Sequence, residues 1–337
     1  MMELFDLVWA NPLGKGLVIG IPLVTVLMFI GGWATWWERK FAGRIQNRLG
    51  PTIVGPAGFL QPLADLFKML RKEVLVPRDA DRPLFLLAPF LAVFVTLIGV
   101  AVMPLDDSLV ISDTEIGLLW LLGCNGLLVF PVWIAGWASN NKYALFGGMR
   151  AVAQGISYEI PLVLAAMIPV VYAGSLNINE IIRYQAEHGW FFVWPIGPGF
   201  FAFFIFFLSS LAEANRIPFD IPEAESELIS GPTVEYTGIF WGMFPMVEYI
   251  HTFVSAIIAS ALFLGGWSGP GPDGMHWLVG KACLLFVFIY WLRWSLVRFR
   301  SDQLMRLCWV WLVPISLLLL IAAALAKHLM LSGGAPV

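Results

Sequence analysis

A chain of 337 residues with 59% hydrophobic, 15% aromatic and only 13% charged side chains carries far less charge than a soluble domain, where about 25% of residues are charged. A soluble protein of this length could not bury so much apolar surface, so its solvent must be lipid. The net charge of −3, from 20 Lys and Arg against 23 Asp and Glu, says little as a total and much in its distribution.

A membrane-spanning helix needs about 20 apolar residues. Eight stretches qualify in chain order, at roughly 15–37, 83–104, 116–138, 150–173, 193–212, 237–265, 277–297 and 307–328. Internal prolines such as Pro161, Pro195 and Pro245 are tolerated where neighbouring helices or water satisfy the freed backbone groups. The expected fold is all-α: a polytopic transmembrane helical bundle of about eight transmembrane helices plus one interfacial amphipathic helix. It forms a single integral membrane domain over residues 1–337, with a basic loop at 38–82 and an acidic loop at 211–236.

Loop charge gives the orientation. The first, third, fifth and seventh loops with their flanks hold 16 of the 20 Lys and Arg, nine of them in the first (Arg39, Lys40, Arg44, Arg48, Lys68, Arg71, Lys72, Arg78 and Arg82). By the positive-inside rule the odd loops face the cytoplasm and both termini lie on the periplasmic side of a cell inner membrane. The start of the chain has no basic segment followed by a small-residue cleavage site, so no signal peptide is expected.

Residues 57–72 fall outside the spans. Phe59, Leu60, Leu63, Leu66, Phe67 and Leu70 recur at helical spacing, with Gln61, Asp65, Lys68 and Lys72 largely opposite. This pattern fits a helix lying in the membrane interface, placed either to cap the bundle or to gate entry of a lipid-soluble ligand.

Three groups of residues stand out chemically. The fifth loop holds Glu213, Asp220, Glu223, Glu225, Glu227 and Glu235 within 23 residues, against a lone Arg216. Such a loop is either solvated or a packed set of carboxylates that share protons; Ile217, Pro218, Phe219, Ile221 and Pro222 favour packing. The second group comprises acids in or at the edge of spans: Glu159 after Tyr158, Glu248 before Tyr249, and Glu38 beside Arg39. An intramembrane acid costs about 2.5–3.5 kcal/mol at mid-helix, so it signals function or a structural ion pair. Each of Glu159 and Glu248 has a Tyr neighbour, which fits a water-lined proton path. The third group is the basic run from Arg39 to Arg48 with Arg293, Arg298, Arg300 and Arg306, suited to anionic lipid or acidic partner subunits; nucleic acid is not expected. The cysteines Cys124, Cys283 and Cys308 and the scattered His188, His251, His276 and His328 form no metal, zinc or iron–sulfur pattern.

In order along the chain, Glu38-Arg39-Lys40, Gln46-Asn47-Arg48-Leu49-Gly50-Pro51, Leu60-Gln61-Pro62-Leu63-Ala64-Asp65 with Lys68, Gly136-Trp137-Ala138-Ser139-Asn140-Asn141-Lys142-Tyr143, Ser157-Tyr158-Glu159, Leu211-Ala212-Glu213 through Pro218-Phe219-Asp220, Glu225-Ser226-Glu227-Leu228, Glu235-Tyr236 and Arg298 to Arg306 resemble the family of membrane-embedded H subunits of NADH:quinone oxidoreductase (respiratory complex I), called subunit 1 in mitochondria. The resemblance implies a subunit joining the membrane arm to the peripheral arm of a proton-translocating enzyme. It implies a quinone chamber lined or framed by Glu38, Arg39, Arg48, Asp65, Arg216 and Phe219. It further implies an acidic funnel of Glu213, Asp220, Glu223, Glu225 and Glu227, leading to Tyr158, Glu159 and Glu248. Quinone is then the substrate, the chain holds no cofactor alone, and iron–sulfur clusters and FMN reside in partner subunits. Those partners are the quinone-site and iron–sulfur subunits of the peripheral arm and small membrane-arm subunits, and the isolated chain is expected to be inactive. Two positions depart from the family pattern: Pro232 follows Gly231 where an aromatic is usual, and Val310 stands after Cys308-Trp309 where a Lys is usual. Two rival readings are a related subunit of a ferredoxin- or F420-dependent dehydrogenase or membrane-bound hydrogenase, and a stand-alone secondary transporter. The absence of an internal repeat counts against the latter.

Overall fold

The computed structural model describes residues 12–107, 109–193, 197–222 and 228–332. Helices dominate, and no strand occurs among the described residues. The first helix, α1, is Pro12–Ile45, and α2, Gln61–Arg71, follows a 3-10 turn at Pro56–Gly58. Next come α3 (Arg82–Gly99), α4 (Gly117–Leu127) and α5 (Val129–Ala138), the last two forming one apolar stretch broken at Leu128. The central part holds α6 (Lys142–Ala173), α7 (Ile178–His188) and α8 (Pro198–Glu213). Then follow α9 (Gly238–Phe263), α10 (Met275–Ser295), the short α11 (Ser301–Arg306), a widened π segment at Leu307–Leu312, and α12 (Val313–Ser332).

Seven of these stretches are long and apolar enough to cross a membrane: Val18–Ile45, Arg82–Val102, Gly117–Ala138, Lys142–Ala173, Gly238–Phe263, Met275–Ser295 and Ser301–Met330. The shorter apolar helix α8, with 16 residues, reaches about 24 Å at 1.5 Å per residue and supplies the eighth pass. Loop contacts agree with that count. The odd connections meet at one end: Asp81 N–H donates to Ala138 O at 3.0 Å, Asn141 Nδ2 to Glu235 Oε1 at 2.5 Å, and Arg298 Nη2 to Asp220 Oδ2 at 3.0 Å. The even connections meet at the other: Leu118 N–H donates to Leu176 O at 3.0 Å and Arg183 Nη2 to Asp107 Oδ1 at 2.6 Å.

Several boundaries differ from the expected ones. The first span runs on through Gly43 to Ile45 and ends before Asn47, which turns at φ 52°. Glu38, Arg39 and Arg44 are therefore helical and not part of a loop. The fourth span begins at Lys142, where Asn141 caps it by accepting from Tyr143 N–H at 2.9 Å. The helix α7 does not follow from hydropathy, because its 11 residues are polar on one side and too short to span.

The helix α9 is the axis of the bundle. Of its most apolar stretch 83% is buried, against 22% for the first and last spans. It is apolar nearly all round, as a helix surrounded by others must be, with His251, Thr252, Ser255 and Ser260 as buried exceptions. Close approach needs glycine: a Cβ at Gly31 of α1 would lie 2.9 Å from Ile250 Cγ1 of α9. The helix α2 lies across this end of the bundle with Leu66, Phe67 and Leu70 exposed and Asp65 turned toward α1. An apolar face outward and a paired carboxylate inward suit a lipid boundary. At the far end, buried Lys281 donates to the carbonyls of Leu264, Gly266 and Ser268 at 2.6, 3.0 and 2.5 Å, satisfying backbone acceptors that the end of α9 leaves open.

Candidate functional site

The site starts where α1 leaves the bundle. Glu38 is only 5% exposed. One of its oxygens lies 2.7 Å from Arg293 Nη1 of α10, and the other accepts a hydrogen bond from the Tyr249 hydroxyl of α9. A buried carboxylate is stable only with such partners. Tyr249 also offers its ring face to Arg216, whose guanidinium carbon lies 4.4 Å from the ring centroid, with the Tyr290 ring at 6.0 Å. Arg216 is 4% exposed and pairs with Glu248 at 3.6 Å, while its Nε donates to Thr252 Oγ1 at 3.4 Å. Five ionisable or aromatic hydroxyl groups thus stand in series: Arg293, Glu38, Tyr249, Arg216 and Glu248.

Glu248 opens onto a partly open cavity of about 50 Å³ lined also by Glu213, Asn215, Asn125 and His251, room for a few waters. Glu213 sits at the C-terminal end of α8 with one carboxylate oxygen buried and without a hydrogen-bond partner among the described residues. Glu159 of α6 is half-buried, and its carboxylate fills the space above Gly126, where a Cβ would collide with Glu159 Oε1.

The loop after α8 is packed as far as it is described. Gln154 Nε2 of α6 donates to Ala212 O at 2.6 Å, Phe219 O at 2.7 Å and Asn215 Oδ1 at 3.2 Å. Phe219 is buried, its ring centroid 5.8 Å from both Tyr158 and Phe299. Asp220 is held by Arg298 at 3.0 Å. Glu223, Glu225 and Glu227 lie outside the described residues. Pro232 packs on α6 at Gly147, where a Cβ would meet Pro232 Cδ at 2.8 Å.

The remaining expected residues lie where the end of α1 meets α2. Arg39 Nη1 pairs with Asp65 Oδ2 at 3.0 Å, and Asp65 Oδ1 accepts from Gln61 at 2.9 Å. Arg48 is exposed and donates to Gln46 Oε1 at 2.7 Å. It borders an open groove of about 400 Å³ with Trp36, Trp37, Lys40 and Arg44. Beside it an apolar cleft of about 380 Å³ is lined by Phe29, Trp33, Phe59, Phe253, Cys283 and Phe286. That cleft joins α1, α9 and α10 to the start of the amphipathic segment.

The tyrosines do not pair as their sequence neighbours imply. Tyr158 hydroxyl donates to Leu304 O at 3.0 Å, away from Glu159, and Tyr249 serves Glu38 and not Glu248. Adjacent residues on a helix point about 100° apart, so a neighbour in sequence is not a neighbour in space. Sequence reasoning missed Arg293 as a member of the series, Tyr290 and Thr252 as neighbours of Arg216, and His251 as a cavity wall. Their i, i+3 spacing on one helix, Tyr290 to Arg293 and Glu248 to His251, was the available signal.

Residues 17–324 match the family model described as NADH dehydrogenase. The chain is 43% identical over 316 residues to the NADH-quinone oxidoreductase H subunit of Geobacillus thermodenitrificans, covering 92% of this chain and 94% of that one. It is 42% identical over 308 residues to the H subunit of Dehalococcoides mccartyi (91% and 84% covered). It is 41% identical over 313 residues to the H subunit of Magnetococcus marinus (91% and 90%). A multi-pass helical membrane protein matched over this extent belongs to the NADH dehydrogenase family that includes the H subunits of NADH-quinone oxidoreductase.

Proposed function

We propose that this chain is the membrane subunit of a proton-translocating NADH-quinone oxidoreductase that admits quinone from the bilayer and passes the electrostatic consequence of its reduction into the membrane. Quinone enters through the apolar cleft beside Phe59 and moves toward the cationic groove at Arg39 and Arg48. The observation that carries this reading is the buried series from Glu38 through Tyr249 and Arg216 to Glu248, which joins that end of the bundle to the cavity holding Glu213. In a poorly hydrated place the charge of one group alters its neighbours strongly, because little water screens it. A reduced quinone beside Glu38 takes up protons, the pairing of Glu38 with Arg293 and Tyr249 weakens or tightens, and Arg216 adjusts its hold on Glu248.

Redox centres, FMN and iron–sulfur clusters belong in this reading to partner subunits of the peripheral arm, and small membrane-arm subunits receive the proton path beyond Glu159. The basic, odd-loop end faces the cytoplasm and both termini face the periplasm of a cell inner membrane. Alone, the chain is inert.

The test is the assembled complex in proteoliposomes carrying Glu213→Gln or Glu248→Gln. The reading expects quinone-linked turnover and proton pumping to fall together, while electron transfer from NADH to a water-soluble acceptor that bypasses quinone is kept. Wild-type turnover with wild-type pumping in both variants would refute it.

A further inference from the structure

The cavity lined by Glu248 and Glu213 has a third titratable group in its wall. His251 lies three residues after Glu248 on α9, so the two side chains share a face of that helix. Both line the cavity, with Glu213 and Asn215 entering from the end of α8. The His251 ring is 3% exposed, and its Nε2 is buried with no hydrogen-bond partner among the described residues. A ring nitrogen with no side-chain or backbone partner among the described residues, facing a cavity with room for a few waters, is free to bond to water or to a cavity carboxyl.

We propose that His251 is the proton-carrying link between the two carboxyls of this cavity. Neutral imidazole accepts at one nitrogen and donates at the other, the property a relay requires. Nε2 takes a proton from whichever carboxyl is protonated, directly or through a cavity water. The imidazolium then releases a proton to the opposite carboxylate. The first carboxyl has lost one proton, the second has gained one, and the imidazole is neutral again. The charged and titratable groups around it are Glu248 on its own helix, Glu213 at the end of α8, Arg216 in the loop that follows, and Glu159 of α6 beyond Glu213; α3 contributes Ala92 and α4 Asn125, neither of which titrates.

This inference rests on the proposed coupling role of the cavity. It is tested in the assembled complex in proteoliposomes with His251→Asn and His251→Gln, which keep polarity and approximate bulk and cannot titrate near neutrality. NADH oxidation by a water-soluble acceptor reports assembly. Quinone-linked turnover and proton pumping are then followed from about pH 5 to 8. The expected result is intact acceptor activity, a loss of quinone-linked turnover of about ten-fold or more, and a pH profile altered in shape relative to wild type. Turnover and pumping equal to wild type at every pH in either assembled variant would overturn the relay. Failure of both variants to assemble would overturn it too, since the ring would then be a packing group. If Glu213→Gln and Glu248→Gln are impaired while the His251 variants are not, only the relay fails; if all four behave as wild type, the coupling role of the cavity fails with it.

Discussion

Arg293 Nη1 lies 2.7 Å from Glu38 Oε1, tying α10 to the inner end of α1 at the point where the buried charge series begins. The Tyr249 hydroxyl holds the second oxygen of the same carboxylate. With Glu38 buried, removing one partner leaves a charge that water cannot reach. Arg293→Ala is expected to destabilise the chain by about 3–5 kcal/mol, and Glu38→Gln in the same chain to recover most of that loss. Thermal unfolding of the purified complex, followed as loss of this subunit, checks both; equal stability of Arg293→Ala and wild type would exclude the pair as a structural tie.

Tyr249→Phe separates the two duties of that tyrosine. The ring under Arg216 remains, and only the hydrogen bond to Glu38 is lost. A hydrogen bond to a charged group contributes about 1.5–3 kcal/mol. The variant is expected to assemble, to lose stability within that range and to lower quinone-linked turnover more than Tyr290→Phe does, since no hydrogen bond to Glu38 from Tyr290 is present. Steady-state turnover of the two variants side by side makes the comparison.

Gly126→Ala probes Glu159 without touching it. A methyl at residue 126 meets the carboxylate head-on, and a flexible acid end moves aside more readily than backbone. Ala is also favoured over Gly inside a helix by about 1 kcal/mol. The fold should therefore hold while the carboxylate is displaced, with turnover reduced. In a Glu159→Gln background the same substitution should add little, because the displaced group has already lost its charge. Full additivity of the two effects in turnover assays would detach Gly126 from Glu159.

Cys283→Trp places an indole in the apolar cleft between α1 and α10. It is expected to raise the KM for a lipid-soluble quinone several-fold and to leave electron transfer to a water-soluble acceptor unchanged, whereas Cys283→Ala should alter neither. An unchanged KM in the tryptophan variant would move quinone entry elsewhere.

The eight passes are legible in the sequence because lipid demands long apolar runs and alternate loops differ in charge. Glu248 and Glu159 are legible as acids where acids are costly. Their partners are less so. Arg216 of the fifth loop, Tyr249 of α9 and Arg293 of α10 converge around Glu38 of α1 only through packing of helices far apart in sequence, and an arginine near a span end reads first as positive-inside charge. The end of α1 is hard to place for a related reason. Charged residues at 38–44 resemble a loop and Gly43 resembles a helix stop, yet the helix runs through all of them to Ile45. Glu38 pairs inside the bundle and Arg39 with α2, while Arg44 lies along the open groove.

The account stands on carboxyls in the cavity changing protonation when quinone is reduced. Redox-induced infrared difference spectra of the intact complex read this directly, through the carboxyl C=O stretch. Wild type is expected to show a carboxyl band that appears or shifts on quinone reduction, and Glu213→Gln to lose it. Identical carboxyl bands in wild type, Glu213→Gln and Glu248→Gln would contradict the account.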